Sequence, residues 1–219
     1  WLAHQFVVDQ WSVKKMIRRI VMSRTYRLSS TGESTGWVTD PENRLIWRAN
    51  RKRLTAEAIR DSILSVSGQL SMQQGGPTIR KFSQYDWGYE FNTIRRSVYV
   101  PLFRNTLLEV MEAFDVANPN VVSGRRSETT LPTQALYLMN SPFVNAEAER
   151  AGERIIRSGV SDAERVRLVY RLALGREPSA VEADVVMKFM EESKTGQKSR
   201  AWSALVHSLF GSVDFRHLD

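Results

Sequence analysis

The stretch SGRRSETTLPTQALYLMNSPFV, residues 123–144, contains the change from polar loop to successive helices that decides the fold of this chain. Pro132 suits the first turn of a helix, where its missing N–H costs no hydrogen bond, and the apolar pattern predicts a helix through Met139. Ser141 and Pro142 repeat the signal at once and predict a second helix that ends by Gly159. Two helices joined this closely favour a helical array.

Towards the C-terminus the same kind of local signal recurs. Ser161 with Glu164, and Ser179 with Glu182, form the S-x-x-E pattern of a helix capping box before an apolar run. A final helix is predicted over residues 202–210. The last third of the chain therefore predicts consecutive helical hairpins.

Towards the N-terminus the pattern is also mostly helical. Ser12 and Thr55 precede runs with apolar residues at spacings of three and four, which predicts capped amphipathic helices. Asp40 followed by Pro41 predicts a further helix over residues 40–47. Residues 97–100 form a β-type run that ends at Pro101, which cannot donate to a ladder.

We therefore predict a mainly α fold, a multi-helix bundle or array with a short β-type segment near residues 97–100 and long irregular loops. We expect residues 1–219 to form a single helical domain that is a fragment of a longer protein, with a subdivision into 1–130 and 131–219 left open. No apolar run approaches the ~20 residues needed to span a bilayer.

Composition limits the chemistry more than it identifies a partner. The chain has no cysteine, so disulfides, cysteine-ligated metals and haem attachment through Cys-x-x-Cys-His are excluded within it. Its formal net charge of +7 would suit an anionic partner. The positive charges do not form long runs, which favours an ordinary basic surface over a nucleic-acid interface.

Convergent polar side chains are concentrated between residues 95 and 144, between segments that must be buried. We take the following as candidate binding residues: Arg95, Arg96, Tyr99, Arg125, Arg126, Thr129, Thr130, Gln134 and Asn140. Trp87 and Tyr89 are two further candidate binding residues, from an alternating aromatic run whose rings would share one side of an extended segment. That run is either a stacking platform for a sugar or base or an anchor on the core, and the anchor is favoured.

Asp115 and Glu128 are the candidate catalytic pair. They could act as acid and base in glycoside cleavage if their carboxyl groups lie ~5–9.5 Å apart. Alternatively each carboxylate binds an arginine and holds a loop against a helix. The second interpretation is favoured, because arginines outnumber carboxylates locally and would lower the carboxyl pKa values. Histidine occurs only at positions 4, 207 and 217, and no metal site is predicted.

Several longer motifs occur together in the same order: residues 43–70, RRSVYVPLFRN at 95–105, EAFDVANPN at 112–120, GRRSETTLPTQALYLMNSPFV at 124–144 and VYRLALGREPS at 169–179. Together they resemble the C-terminal domain of unknown function of large secreted planctomycete proteins. The resemblance implies a periplasmic, secreted or cell-surface location, neighbouring domains in the same protein, and haem in a cytochrome-c-like domain outside this chain. It implies no established activity.

Three functions follow as hypotheses. The first is a non-catalytic or accessory helical module of an exported multidomain protein, which docks a partner domain or an anionic glycan and needs no cofactor of its own. The second is an enzyme domain that acts on polysaccharide through Asp115 and Glu128. The third, nucleic-acid binding, rests on charge alone and is disfavoured by the export that the resemblance implies.

Overall fold

A computed structural model describes residues 1–30, 35–79, 91–193 and 198–218 of the chain. These residues confirm the mainly helical fold, with a two-stranded sheet and long loops. They divide into two compact units: Trp1–Arg53 with the C-terminal strand, and Leu54–Arg216. The second unit runs across the subdivision considered at residues 130 and 131, and the single-domain organisation stays a prediction.

The first unit contains short helices and the sheet. Its elements are α1 (Leu2–Val8), α2 (Val13–Val21), α3 (Gly36–Thr39), β1 (Lys52–Arg53) and β2 (His217–Leu218), and the two strands pair antiparallel. Ser12 caps α2 as predicted, because its Oγ accepts the Lys15 N–H at 3.3 Å. Arg19 of α2 binds Asp9 at 2.7 Å and so ties α2 to the end of α1.

The helix predicted over residues 40–47 is wrong. Asp40 uses its carboxylate to accept the backbone N–H groups of Arg44, at 2.9 Å, and Leu45, at 2.8 Å. Asn43 adopts a left-handed conformation with φ of 55°, which an α-helix does not allow. An aspartate side chain can accept backbone N–H groups in place of helical carbonyls, and here these bonds stabilise a loop instead of a helix.

The second unit is a helical array. It consists of α4 (Ala56–Ser67), α5 (Glu109–Ala113), α6 (Pro132–Asn140), α7 (Pro142–Arg157), α8 (Asp162–Leu174), α9 (Ala180–Glu192) and α10 (Lys198–Gly211), with 3₁₀ turns at Ser97–Tyr99 and Asp214–Arg216. Trp202 and Phe210 of α10 are fully buried in its apolar core. The capping boxes predicted at Ser161 and Ser179 are both formed.

Helices α7 and α10 approach each other closely at Gly152. A Cβ atom on Gly152 would lie 2.4 Å from the Ser203 Oγ and 2.7 Å from the Ser203 backbone nitrogen. Only glycine permits this spacing. Two residues further along α7, Arg154 donates to the carbonyl oxygens of Ser65, at 2.9 Å, and Val66, at 2.8 Å, at the end of α4. Gly68 closes α4 in a left-handed conformation. Arg154 thus satisfies carbonyl groups in the last turn of α4 that would otherwise lack a hydrogen-bond partner within the helix.

The β-type segment predicted near residues 97–100 is instead the 3₁₀ turn Ser97–Tyr99, followed by an extended Val100. Its physical cause is a tertiary contact. Asp61 of α4 accepts both the backbone N–H of Ser97, at 2.8 Å, and its hydroxyl, at 2.7 Å. The β-type contact lies earlier, where Ser71 and Arg95 form an isolated parallel bridge.

Within the described ranges, none of the helices combines the length and the apolar character that crossing a membrane requires.

Candidate functional site

Arg95, the first predicted binding residue, is a buried support for a loop. Its guanidinium donates to the carbonyl oxygen of Gln73 at 3.3 Å and to the carbonyl oxygens of residues 75–77. It also lies 5.0 Å from the centre of the Tyr99 ring. Arg95 therefore holds the turn that follows α4, and its donors face the protein's own backbone.

Arg60 of α4 is a second buried arginine. It is 3% exposed and donates to the Arg95 carbonyl at 2.9 Å, to the Ser97 hydroxyl at 3.1 Å and to the carbonyl of Thr93. Burial lowers the pKa of Arg60, and the nearby Asp61 carboxylate opposes the change. Residues 93–97 are thus fastened to α4 by charge-assisted hydrogen bonds.

Hydrogen bonds bring together three of the predicted residues and hold the loop between α5 and α6: Asp115, Thr129 and Gln134. The Asp115 carboxylate accepts the Thr129 N–H and its hydroxyl, both at 2.8 Å. Gln134, fully buried in α6, donates its amide to the Thr129 carbonyl at 3.0 Å. These contacts join the end of α5 to the start of α6. Glu128 is exposed beside them, and a catalytic role for Asp115 and Glu128 stays a prediction.

The other predicted residues are mostly at the surface. Arg126 forms an ion pair with Glu57 at 2.7 Å. Burial raises the pKa of Glu57, but hydrogen bonds from its backbone and from Arg126 outweigh burial and hold that pKa below its usual value. The remaining described candidates are exposed: Arg96, Arg125, Thr130 and Asn140. Trp87 and Tyr89 lie outside the described residues.

A cleft of about 560 Å³ lies in the second unit, between α4, the segment 91–94, the segment leading into α5, and helices α6 and α7. Its apolar walls are Leu64, Phe91, Ile94, Leu107, Leu108, Val110 and Phe143. Its polar groups come from Arg60, Asn92, Thr93, Thr106, Glu109, Tyr137, Glu147 and Arg150. The volume lies within the range of ligand-binding pockets, and more than half of the lining residues are polar.

Glu147 is the most unusual residue of the cleft. It lies on the buried face of α7 and is only 2% exposed. Its Oε1 accepts a hydrogen bond from Arg150, one turn further along the helix, whose side chain is 50% exposed. Among the described residues its buried Oε2 has no hydrogen-bond partner. Buried polar atoms are almost always paired, and leaving a charged one unpaired costs about 1–3 kcal/mol or more.

Tyr137 adds a neutral hydroxyl to the same cleft. Burial raises its pKa, and Glu109 raises it further, whereas Ser141 and Arg60 act in the opposite direction. The phenol therefore stays protonated at neutral pH, as donor and acceptor together. The charged lining residues balance formally, since two arginines face two glutamates.

Sequence reasoning did not find this cleft, although one signal was present. Glu147 falls on the apolar stripe of α7, next to Ala148 and three residues after Val144. A carboxylate on a buried helix face is rare unless it is paired or functional. The other cleft residues come from segments far apart in the chain, and no local pattern joins them.

Within the part of the chain that the structure describes, no group of three or more histidine, aspartate or glutamate side chains could hold a metal ion. His207 is engaged in packing, because its Nε2 lies 2.9 Å from the Leu138 carbonyl oxygen.

The described residues thus form a mainly helical protein with a polar, charge-balanced cleft. The chain belongs to the PSD1 family, described as protein of unknown function (DUF1553), whose family model matches residues 1–190. No curated protein and no solved structure matches the chain.

Proposed function

We propose that this chain is a non-catalytic, accessory binding module whose ligand occupies the cleft between α4, α5, α6 and α7. One observation carries the proposal: Glu147 is buried in the cleft wall with a carboxylate oxygen that no described residue binds. A protein keeps an unpaired buried charge at a cost in stability, and such sites are commonly functional. A ligand that donates to this oxygen would recover that cost.

The arginine- and threonine-rich stretch supports the cleft more than it forms a separate site. Arg60 and Arg95 position the 91–97 segment, which supplies one wall of the cleft. Asp115 and Thr129 fasten α5 to α6, which supply two others. The exposed Arg96 remains free to contact a partner domain, and we propose such docking as a second role of this surface.

Binding is favoured over hydrolysis by the position of the predicted carboxylate pair. Asp115 and Glu128 are absent from the described lining of the cleft, and both Asp115 oxygens accept from Thr129. An enzyme acting on polysaccharide through this pair remains the alternative. Measuring reducing-sugar release by the chain and by an Asp115→Asn variant would test it.

The resemblance described above supports a setting for this module. We propose a periplasmic, secreted or cell-surface location, with neighbouring domains of the same protein as partners and haem carried by one of those neighbours. Nucleic-acid binding rests only on the net charge of +7 and is the weaker alternative. It predicts retention on DNA that falls steeply with salt.

The cleft can be tested by filling it. Thr106→Trp places a large ring at a half-buried position of the lining, and Thr133→Trp places the same ring on the exposed face of α6 as the matched control. A panel of oligosaccharides and small polar metabolites would be titrated while amide chemical shifts are recorded. We expect a ligand whose binding is lost in Thr106→Trp and kept in Thr133→Trp. Binding that is equal in both variants, or no binding by the whole panel, would refute the proposal.

A further inference from the structure

Resting on the proposed cleft function, we infer that the ligand is a neutral, hydroxyl-rich saccharide and that Glu147 Oε2 accepts a hydrogen bond from one of its hydroxyl groups. Glu147 has not been singled out by any sequence motif. It would act as a binding residue that selects for hydroxyl donors.

The charge of the cleft argues for a neutral ligand. Glu147 and Glu109 would repel an anionic group, while Arg60 and Arg150 would repel a cationic one. Each arginine already has a carboxylate nearby: Arg150 binds Glu147, and Arg60 lies 3.6 Å from Asp61. A ligand that carries its own charge would disturb this balance, whereas a neutral one leaves it intact. The balanced charge of the cleft therefore disfavours the anionic glycan that the net charge of the whole chain suggested.

The available hydrogen-bonding groups argue for hydroxyls. A carboxylate oxygen can only accept, so the ligand must donate to Oε2. The free N–H groups of Arg150 and the Tyr137 hydroxyl can donate in return, and a hydroxyl accepts as well as donates. Adjacent hydroxyls on a sugar ring can therefore use both kinds of group at once.

Access to Oε2 and the shape of the walls are consistent with this ligand. Because Oε2 is buried, a ligand hydroxyl reaches it only after a neighbouring side chain moves. Arg150 is a lining side chain with room to move, since half of it is exposed to solvent. Phe91 and Phe143 provide rings against which the apolar face of a sugar can pack.

The test compares ligand classes on the full chain. Neutral oligosaccharides (cello-, manno-, xylo- and galacto-oligosaccharides) are titrated beside sulfated and uronic oligosaccharides and beside chitosan oligomers. We expect a neutral oligosaccharide to bind, and Glu147→Gln to weaken its binding at least about tenfold, because a charged acceptor is replaced by a neutral amide. Glu153→Gln, on the exposed face of the same helix, is the matched control and should bind as the parent does.

The outcomes separate this inference from the proposed function. Binding of only charged oligosaccharides, lost in Thr106→Trp, would overturn the inference and leave the cleft as a binding site. Binding of a neutral oligosaccharide that Glu147→Gln does not weaken would overturn the role of Glu147. If no class binds, or if binding survives Thr106→Trp, the proposed function fails and the inference fails with it.

Discussion

Glu147 and Arg150 should contribute to stability with opposite signs, although they form one ion pair. Replacing Glu147 with methionine removes a buried carboxylate with an unpaired oxygen and substitutes a side chain of similar length with good helix propensity. The removal relieves a penalty of about 1–3 kcal/mol. The lost pair with the half-exposed Arg150 is worth about 0–1 kcal/mol.

The net expectation is that Glu147→Met raises the free energy of unfolding by about 1–2 kcal/mol. For a chain of this size that corresponds to a rise in Tm of roughly 2–8 °C. Arg150→Met should do the reverse. It leaves the carboxylate buried without the partner that binds Oε1, and an unpaired buried group costs about 1–3 kcal/mol or more. The double variant should recover most of the loss.

Urea denaturation followed by far-ultraviolet circular dichroism measures these differences. Glu153→Met is the control, because its ion pair with Arg157 at 3.0 Å is exposed at both ends and its loss should change stability by less than about 0.5 kcal/mol. If Glu147→Met destabilises the protein as much as Arg150→Met does, Glu147 is a structural residue. Its unpaired oxygen would then carry no net cost in stability.

Three further predictions concern contacts that stabilise the second unit. Gly152→Ala should lower stability by about 1–3 kcal/mol in thermal denaturation, because the new Cβ meets a backbone nitrogen of α10 at 2.7 Å. Gly211→Ala is the control: its Cβ would have no atom within 4 Å, and the change should be neutral or slightly stabilising. Hydrogen bonds from Arg176 lower the pKa of Glu182 from 4.5 to about 2. The ionised Glu182 carboxylate therefore stabilises the fold fully above pH 4.5, and this stabilisation is lost as pH falls towards 2. Glu182→Gln should flatten the acid limb of a plot of stability against pH, and an unchanged limb would contradict the assignment. Asp115→Asn keeps a residue that tolerates the φ of 61° but replaces the charged acceptor of the Thr129 N–H with a neutral amide. We expect the free energy of unfolding measured in urea to fall by about 1–2 kcal/mol. Glu128→Gln, at the exposed neighbouring position, should cause no measurable loss.

Much of the helical architecture could be predicted because its signals are local. Ser161 and Ser179 cap their helices through residues three positions away, so the sequence alone contains both partners of each contact. Thr55 likewise accepts the Ala58 N–H at 3.3 Å at the start of α4. Local signals failed where a side chain had a competing partner, as Asp40 shows by binding two backbone N–H groups of a loop.

The candidate site depended on tertiary structure. Sequence alone identified Arg95, Asp115 and Thr129 as a convergent polar stretch, but only the fold shows that their hydrogen bonds are used within the protein. Ser97 is a similar case. Its neighbours in sequence predicted a β-type segment, whereas in the fold Asp61 of α4 accepts its N–H and Ser97 begins a 3₁₀ turn.

The sequence by itself thus determined the capped helices and the absence of cysteine chemistry, because each depends on residue identity or on neighbours within a few positions. Tertiary structure alone decided the cleft. Its walls come from residues as far apart as Arg60 and Arg150, and the unpaired oxygen of Glu147 becomes a feature only when packing removes it from water. Desolvation is a property of the folded surroundings and cannot be inferred from one helix.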